Sequence, residues 1–209
     1  MKIITTCEQG SPEWLAMRLG KVTASRISDL LSKGRGTVPS KMAESYMMEL
    51  IAERLTGLSK PFFENDAMRW GTEMEGEARA VYSIRNHRFD IDEVAFVEHN
   101  EFIGISPDGL VGDDGLLEIK CPNTTTQLKR ALSDDYSSSY KAQIQCQLWV
   151  TGREWCDFVS FDPRLGGKAG YLEQRVYRNE EFITDMKEKA YVFVDKMNEL
   201  IEKLTVKEE

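Results

Sequence analysis

The sequence contains no apolar run that approaches the ~20 residues a helix needs to cross a bilayer. This excludes a membrane-spanning helix, and we expect no membrane partner. Residues 1–6 also lack the apolar stretch that begins a secretory signal. The sequence therefore predicts an intracellular protein.

Cysteine is scarce and forms no C-x-x-C pair. Iron–sulfur clusters are commonly held by cysteines a few residues apart, whereas the last three of the four cysteines here lie 25 and 10 residues apart. We therefore expect reduced thiols in or near the core rather than a cluster. The four cysteines are Cys7, Cys121, Cys146 and Cys156.

No internal repeat, low-complexity tract or Pro/Ser-rich linker divides the 209 residues. A chain of this length can bury one well-packed core, and 41% hydrophobic with 30% charged residues is ordinary for a globular protein. We predict one domain over residues 1–209, with a helical part to about 86, a sheet-containing core over 87–178 and a C-terminal helix over 179–204.

Basic residues are also fewer than acidic ones, and the net charge is −8. Domains that bind nucleic acid are commonly basic. A site that binds metal must nevertheless concentrate carboxylates, and net charge does not locate a local basic groove. The charge balance therefore neither excludes nor supports a nucleic-acid partner.

Hydrophobic spacing and capping residues predict four helices before residue 86. Ser11, followed by Pro12, is typical of a helix start, Thr23-Ala24-Ser25 favours another, and Gly57 indicates a helix end. The predicted helices begin at Pro12 and cover 23–31, 39–55 and 66–85.

Short strands bounded by glycine and aspartate are predicted in the middle of the chain. They cover 91–97, 102–106, 116–121, 155–161 and 171–177, around an almost entirely apolar helix over 139–150 that we expect to be buried. The last helix carries an apolar face made of Phe182, Met186, Ala190, Phe193, Met197, Leu200 and Leu204. This order predicts an α/β (α+β) fold in which helices flank a central mixed β-sheet.

Two short motifs carry the candidate chemistry: Ser106-Pro107-Asp108-Gly109-Leu110 and Leu117-Glu118-Ile119-Lys120. Glu118 and Lys120 lie two residues apart on a predicted strand, so their side chains leave the same face. A hairpin-like return of the chain would bring Asp108 to them. Neighbouring carboxylates repel unless they are protonated or bridged by a cation, and oxygen ligands suit Mg²⁺ or Mn²⁺.

Each motif alone has a simpler interpretation, a Pro-Asp-Gly turn or the exposed edge of a strand. Together they match the Pro-Asp…(Asp/Glu)-x-Lys signature of metal-dependent nucleases. In such a site, metal-activated water attacks a phosphodiester, and Lys120 would orient or deprotonate that water or balance the charge of the phosphate.

Glu75 is the third candidate carboxylate, because it interrupts an apolar stripe on its predicted helix. A carboxylate directed into an apolar seam is costly unless it is paired or bound to metal. The alternative is a surface pair with Arg79 at i,i+4. The stripe consists of Met68, Gly71, Glu75, Ala78 and Tyr82.

The glutamines of the predicted apolar helix, Gln143, Gln145 and Gln147, cannot all face solvent. Buried amides need hydrogen-bond partners. A metal-bound water or a DNA phosphate would serve, and so would backbone groups within the core. The residues alone leave both interpretations open.

Arg18, Ser25 and Arg35 lie in the N-terminal region. Arginine forks and the free N–H groups at a helix start suit a terminal phosphate. The alternative is that these are ordinary surface residues.

As an ordered set these residues resemble the phage lambda exonuclease type, the YqaJ-like recombinases, within the PD-(D/E)XK nucleases. The resemblance runs from about Glu8 to the C-terminal helix. Its carriers are Trp14, Arg18-Leu19-Gly20, Thr23-Ala24-Ser25, Trp70-Gly71, Glu75, Ala78-Arg79, Ser106-Pro107-Asp108-Gly109-Leu110, Glu118-Ile119-Lys120-Cys121-Pro122, Tyr140, Ala142-Gln143-Ile144-Gln145, Trp149-Val150-Thr151 and Asp162-Pro163-Arg164.

The resemblance implies a restriction-endonuclease-like core and a 5′-to-3′ exonuclease acting on linear double-stranded DNA. Such an enzyme releases mononucleotides and leaves a 3′ overhang for a single-strand annealing protein during phage recombination. The resemblance also implies a ring-shaped homotrimer threaded by DNA, with an acidic exterior and a basic channel. It places the protein in the cytoplasm of a bacterial host, encoded by a phage or prophage.

The resemblance implies a role for each candidate. Two Mg²⁺ ions, which Mn²⁺ could replace, would be held by Glu75, Asp108, Glu118 and the Ile119 carbonyl. Lys120 would sit at the attacking water and Gln143 beside it, while Arg18, Ser25 and Arg35 would bind the 5′ phosphate and Met68 would help to separate the strands. Gln145, Tyr140 and Thr23 are further candidates.

Other functions stay open from the sequence. An endonuclease of restriction or repair type would use the same carboxylates, and only the Arg18, Ser25 and Arg35 set distinguishes it from an end-dependent enzyme. A catalytically inactive module that binds DNA ends is the alternative from another class, although the intact carboxylate and lysine set argues against it.

Overall fold

The structure, a computed structural model, describes residues 1–34, 40–59 and 65–206. The helices are α1 (Pro12–Arg18), α2 (Ile27–Leu31), α3 (Lys41–Thr56), α4 (Asp66–Asn86), α5 (Thr124–Ala131), α6 (Lys141–Thr151), α7 (Gly167–Gly170) and α8 (Glu180–Thr205). The 3-10 turns Ala24–Arg26 and Ser138–Tyr140 lead into α2 and α6. Among the helices of these described ranges, none is long and apolar enough to cross a bilayer.

The strands are β1 (Lys2–Ile4), β2 (Val22–Thr23), β3 (Ile91–Asp92), β4 (Phe96–Glu98), β5 (Ile103–Ile105), β6 (Gly109–Val111), β7 (Gly115–Lys120), β8 (Trp155–Phe161) and β9 (Tyr171–Tyr177). They form one sheet in the order β1-β4-β5-β2 and another in the order β3-β6-β7-β8-β9. Both are mixed, since β2 is parallel to β5 and β7 is parallel to β8. The predicted α+β class is confirmed, with the strands divided between two sheets.

Several predicted boundaries are confirmed because local chemistry sets them. Ser11 caps α1 by accepting a hydrogen bond from the backbone of Trp14 at 3.2 Å, with Pro12 at the first helical position. Gly57 ends α3 with φ 70°, a left-handed conformation that suits glycine. Strands β8 and β9 have the predicted bounds.

Other predictions are wrong where pairing partners lie far away in sequence. The first 86 residues are not all helical, because β1 pairs with β4 and β2 with β5. Thr23 ends β2 and its side chain caps no helix. Asp108 does lie at a bend between β5 and β6, as predicted, but α5, capped by Asn123, was not predicted.

The five-stranded sheet separates two layers of core. Leu116 of β7 belongs to the core that includes α6 and α8, whereas Leu117 and Ile119 belong to the core that includes α4. Because side chains alternate along a strand, Glu118 and Lys120 point to the α6 side. As predicted, α6 is deeply buried from Ile144 to Val150.

The C-terminal helix packs through the predicted stripe, with Met186, Ala190 and Met197 fully buried. Leu204, which we expected on the same face, is 65% exposed. Helix α8 therefore extends past the core at its C-terminal end.

Candidate active site

Asp108 and Glu118 are neighbours across the β6–β7 hairpin. Gly109 pairs with Leu117 in an antiparallel register, which places the residue before Gly109 beside the residue after Leu117. The backbone N–H of Ile119 donates a 2.6 Å hydrogen bond to Oδ2 of Asp108. The hairpin-like return predicted from the sequence therefore does bring the two carboxylates together.

The carboxylate of Glu118 is fully buried and surrounded by donors. Gln143 donates its amide N–H to Oε1 at 2.6 Å, and Gln147 donates to Oε2 at 2.7 Å. The ammonium of Lys120 pairs with Oε1 as well. A buried charge needs this degree of compensation, because water no longer solvates it.

Carboxylate crowding perturbs the electrostatics of the site. Burial raises the pKa of Asp108, and the negative charges of Glu118 and Glu75 raise it further against the opposing charge of Lys120. Burial lowers the pKa of Lys120, but the attraction of Glu118 and Asp108 outweighs burial and raises that pKa overall. Lys120 is therefore a charged ammonium at neutral pH.

Glu75 approaches this cluster from α4, on the other face of the sheet. Ala78 and Tyr82 of the predicted stripe are fully buried, and Glu75 is partly buried. Its Oε1 accepts from Arg79 at 2.5 Å, so the alternative pairing is also formed. Burial raises the pKa of Glu75, and the charges of Arg79, Lys120 and Glu118 act on it too.

In the part of the chain that the structure describes, no three His, Cys, Asp or Glu side chains converge closely enough to hold a metal ion as they stand. The pairing of Glu75 with Arg79 and the packing of α4 on the opposite sheet face account for this. Asp108, Glu118 and Glu75 are nonetheless oxygen donors whose charges influence one another, which is the donor chemistry that Mg²⁺ and Mn²⁺ prefer.

A second polar cluster forms around Ser106, which precedes Asp108 by two residues. Arg18 directs one guanidinium nitrogen to Oγ of Ser106 at 3.4 Å and another to Oγ of Ser25 at 3.3 Å. The hydroxyl of Thr23 lies 3.4 Å from that of Ser25. The predicted phosphate residues Arg18 and Ser25 are thus together, whereas Arg35 lies outside the described residues.

The guanidinium of Arg18 lies over an aromatic ring, and the residue is partly buried. It lies 4.2 Å from the ring centroid of Trp14, and burial lowers its pKa. Trp14 Nε1 donates to Oγ of Ser106 at 2.9 Å. Within residues 1–34, 40–59 and 65–206, Arg18 forms no ion pair, which leaves its charge available to an anion.

The YqaJ-like viral recombinase domain family matches the chain over residues 13–154. The chain belongs to this family. The match includes both polar clusters and confirms the resemblance inferred from the sequence motifs.

The fold is shared with solved exonucleases. The alkaline exonuclease LHK-Exo of Laribacter hongkongensis is 41% identical with a TM-score of 0.85, covering 93% of this chain and 96% of that one. A phage related exonuclease of Haemophilus somnus, 18% identical, shares the fold with a TM-score of 0.66 over 88% of this chain and 96% of that chain. Family membership and the likeness to LHK-Exo together support a nuclease.

An uncharacterised protein of Acanthamoeba polyphaga mimivirus is 30% identical over 177 residues, which is 76% of this chain. The YqaJ-like chain spans only 30% of the length of that viral protein. A shorter match to the ExoD protein of Escherichia coli K12 is 33% identical over 64 residues. It covers 31% of this chain and 72% of that protein.

Of the remaining predicted residues, Tyr140 lies at the site and Gln145 does not. Tyr140 lies beside it, with the Lys120 ammonium 5.4 Å from its ring centroid. Gln145 lies outside it, since its amide donates to the carbonyl of Tyr177 and accepts from the backbone of Asn179, each at 2.9 Å. The interpretation with backbone partners thus holds for Gln145, whereas Gln143 and Gln147 donate to the carboxylate of Glu118.

Met68 lies in the first turn of α4 and is 41% exposed. It precedes Glu75 by seven residues, about 10 Å along the helix axis. The side chain of Met68 is therefore accessible to solvent, one to two helical turns away from Glu75.

Gln147 and Ser106 were quoted in the sequence motifs, but neither of them was assigned a role in the site. The signal for Gln147 was available, because it lies one turn after Gln143 on the same helix face. No local signal linked Ser106 to Arg18, since 88 residues separate them.

Proposed function

We propose that this chain is a Mg²⁺-dependent exonuclease that degrades one strand of linear double-stranded DNA from its 5′ end and leaves a 3′ overhang. The observation that carries this proposal is the placement of Ser106 and Asp108. Ser106 contacts Arg18 in one polar cluster, and Asp108, two residues later, stands beside Glu118 in the other. An anion site and a carboxylate site therefore share one short segment.

The donor set fits Mg²⁺, with Mn²⁺ as a substitute. Asp108, Glu118, the Ile119 carbonyl and Glu75 are the groups that would hold two ions, and Glu75 would exchange its partner Arg79 for a cation. Bound there, the metal would supply an activated water and neutralise charge on the phosphodiester. Burial first, and then the negative charge of Glu118, raise the pKa values of Asp108 and Glu75, and a bound cation would offset both effects.

Lys120, Gln143 and the backbone of Ile119 have further roles in this proposal. The charged Lys120 stabilises negative charge on the scissile phosphate and orients the attacking water. The amide of Gln143 is only partly buried and so is accessible to a water or a phosphate oxygen. The Ile119 N–H holds Asp108 in place against the electrostatic repulsion of Glu118.

End recognition is assigned to the Arg18 cluster. A guanidinium without an ion pair in the described ranges, flanked by the hydroxyls of Ser25, Thr23 and Ser106, is suited to a phosphate group. Arg35 joins this set by resemblance. The 5′ phosphate would anchor the strand next to Asp108, so that hydrolysis occurs near the end rather than internally.

The comparisons support the substrate class. LHK-Exo is described as an exonuclease, and a further structure of it contains dAMP, a deoxynucleotide of the kind that DNA hydrolysis releases. By the family resemblance we also propose a homotrimeric ring, a single-strand annealing partner and strand separation at Met68. A phage or prophage origin and a cytoplasmic location belong to the same proposal.

The deciding experiment compares a linear duplex with a closed circular duplex, in Mg²⁺ and in EDTA. We expect digestion of the linear DNA only, faster with 5′-phosphorylated ends, and none in EDTA. Cleavage of the circle would instead indicate an endonuclease built on the same carboxylates. Binding of DNA ends without any cleavage would indicate an inactive end-binding module.

A further inference from the structure

Gln147 is a fully buried glutamine whose hydrogen bonds are half satisfied. Its Nε2 donates to Oε2 of Glu118 at 2.7 Å, but its Oε1 has no partner within residues 1–34, 40–59 and 65–206. An unpaired buried carbonyl destabilises a fold. An apolar side chain of similar size would avoid that cost. The feature that distinguishes the amide from such a side chain is its hydrogen bond to Glu118.

The two amides that contact Glu118 differ in their surroundings. Gln143 is partly exposed and donates to Oε1, the oxygen that Lys120 also contacts. Gln147, one turn further into the core, is the donor to Oε2 among the described residues and has no exposed surface. Gln143 can therefore turn away from the carboxylate towards solvent, whereas Gln147 cannot.

This difference matters once Glu118 binds a cation. A cation at Oε1 competes with Lys120 and Gln143 for the lone pairs of that oxygen. If Lys120 and Gln143 both lost their contacts with Oε1, the carboxylate would be free to rotate unless a third group held Oε2. Gln147 is placed to be that group.

We propose that Gln147 is a positioning residue that holds Oε2 of Glu118 on the core side and so keeps Oε1 directed towards the metal site. The proposal rests on the proposed function, in which Glu118 is a metal ligand. Groups behind a ligand commonly change metal affinity by about 10- to 100-fold when removed. Gln147 therefore acts through Glu118 and does not itself contact metal or DNA.

The test replaces Gln147 by methionine, which keeps the unbranched shape but cannot donate. Gln145→Met is the matched control, because Gln145 is an equally buried glutamine two residues away whose partners are the Tyr177 carbonyl and the Asn179 N–H. The readout is direct Mn²⁺ binding, followed by the loss of the free-ion signal in electron paramagnetic resonance. DNA is absent from this measurement.

We expect Gln147→Met to fold and to bind Mn²⁺ about 10-fold more weakly than the wild type. We expect Gln145→Met to lower the unfolding temperature while leaving Mn²⁺ affinity unchanged. Should Gln147→Met not fold, Gln147→Leu is measured in the same way, with the same expectation.

Three outcomes overturn the proposal. Wild-type Mn²⁺ affinity in a folded Gln147 variant would show that Glu118 needs no such support. An equal loss of affinity in Gln145→Met would show a general effect of core disruption. Failure of the wild type itself to bind Mn²⁺ would overturn the proposed function and this inference together, and so is distinguishable from the other two.

Discussion

The hydroxyl of Tyr82 donates a 2.7 Å hydrogen bond to Oδ2 of Asp157 and ties α4 to β8. Both residues are fully buried, and Arg175 completes the arrangement with two bonds to the same carboxylate at 2.8 Å. Helix α4 carries Glu75, while β8 lies beside the strand that carries Glu118 and Lys120. This contact therefore joins the two elements on which the candidate site depends.

Replacing Tyr82 by phenylalanine removes this bond and little else. We expect the free energy of unfolding to fall by about 1.5–3 kcal/mol, the range for hydrogen bonds to charged groups, as measured by urea denaturation. Tyr177→Phe is the control, since Tyr177 is 67% exposed and should change stability by less than about 0.5 kcal/mol. Equal stabilities for wild type and Tyr82→Phe would contradict the role given to this contact.

Asp108→Asn should abolish cleavage of linear duplex DNA while the protein stays folded. The asparagine oxygen can still accept the Ile119 N–H, so the hairpin survives, but the negative charge that attracts a cation is lost. The measurement is the release of nucleotides in Mg²⁺, with circular dichroism to check folding. The exposed Asp113, in the turn of the same hairpin, supplies the charge-matched control Asp113→Asn. Substantial activity of Asp108→Asn would remove Asp108 from the site.

Arg18→Met should erase the preference for phosphorylated ends, because the variant lacks the guanidinium that faces Ser25 and Ser106. We expect kcat/KM on 5′-phosphorylated duplex to fall at least ~10-fold, equivalent to ~1.4 kcal/mol, with a smaller change on 5′-hydroxyl duplex. Arg35→Ala is expected to act in the same direction.

Arg88→Met serves as the control for Arg18→Met, since Arg88 pairs with Asp90 at the surface. A uniform loss on both substrates in Arg18→Met would indicate a structural defect rather than lost recognition of the phosphate.

Magnesium should raise the unfolding temperature of the metal-free protein. An ion bound only by the folded state stabilises it by mass action, and here it would also offset the burial and the repulsion from Glu118 that raise the pKa of Asp108. Differential scanning calorimetry with Mg²⁺ and with EDTA measures the shift, which Asp108→Asn should reduce. A shift of the same size in wild type and Asp108→Asn would place the ion elsewhere.

Much of the secondary structure follows from the sequence because its causes are local. The caps Ser11 and Gly57 act within one helical turn, and the aromatic and β-branched residues of β8 and β9 favour strands whatever their neighbours are. Short strands could not be predicted in the same way. β1 has three residues, and its pairing with β4 depends on a segment more than 90 residues later.

The candidate site shows the same division. Asp108, Glu118 and Lys120 could be grouped from sequence, because a hairpin and a two-residue strand period bring them together. Helical spacing likewise puts Gln143 and Gln147 on one face and Gln145 on another. Which face meets Glu118, however, depends on how α6 packs against β7, and no local pattern contains that information.

The sequence by itself determined that Asp108, Glu118 and Lys120 lie together, since a spacing of a few residues sets which side chains share a strand face. Only the tertiary structure decided that Gln147 holds the buried carboxylate of Glu118, that Glu75 comes from the opposite face of the sheet and pairs with Arg79, and that Arg18 meets Ser106 across 88 residues. The physical reason is that these contacts arise from the packing of whole elements against one core, which depends on every element at once.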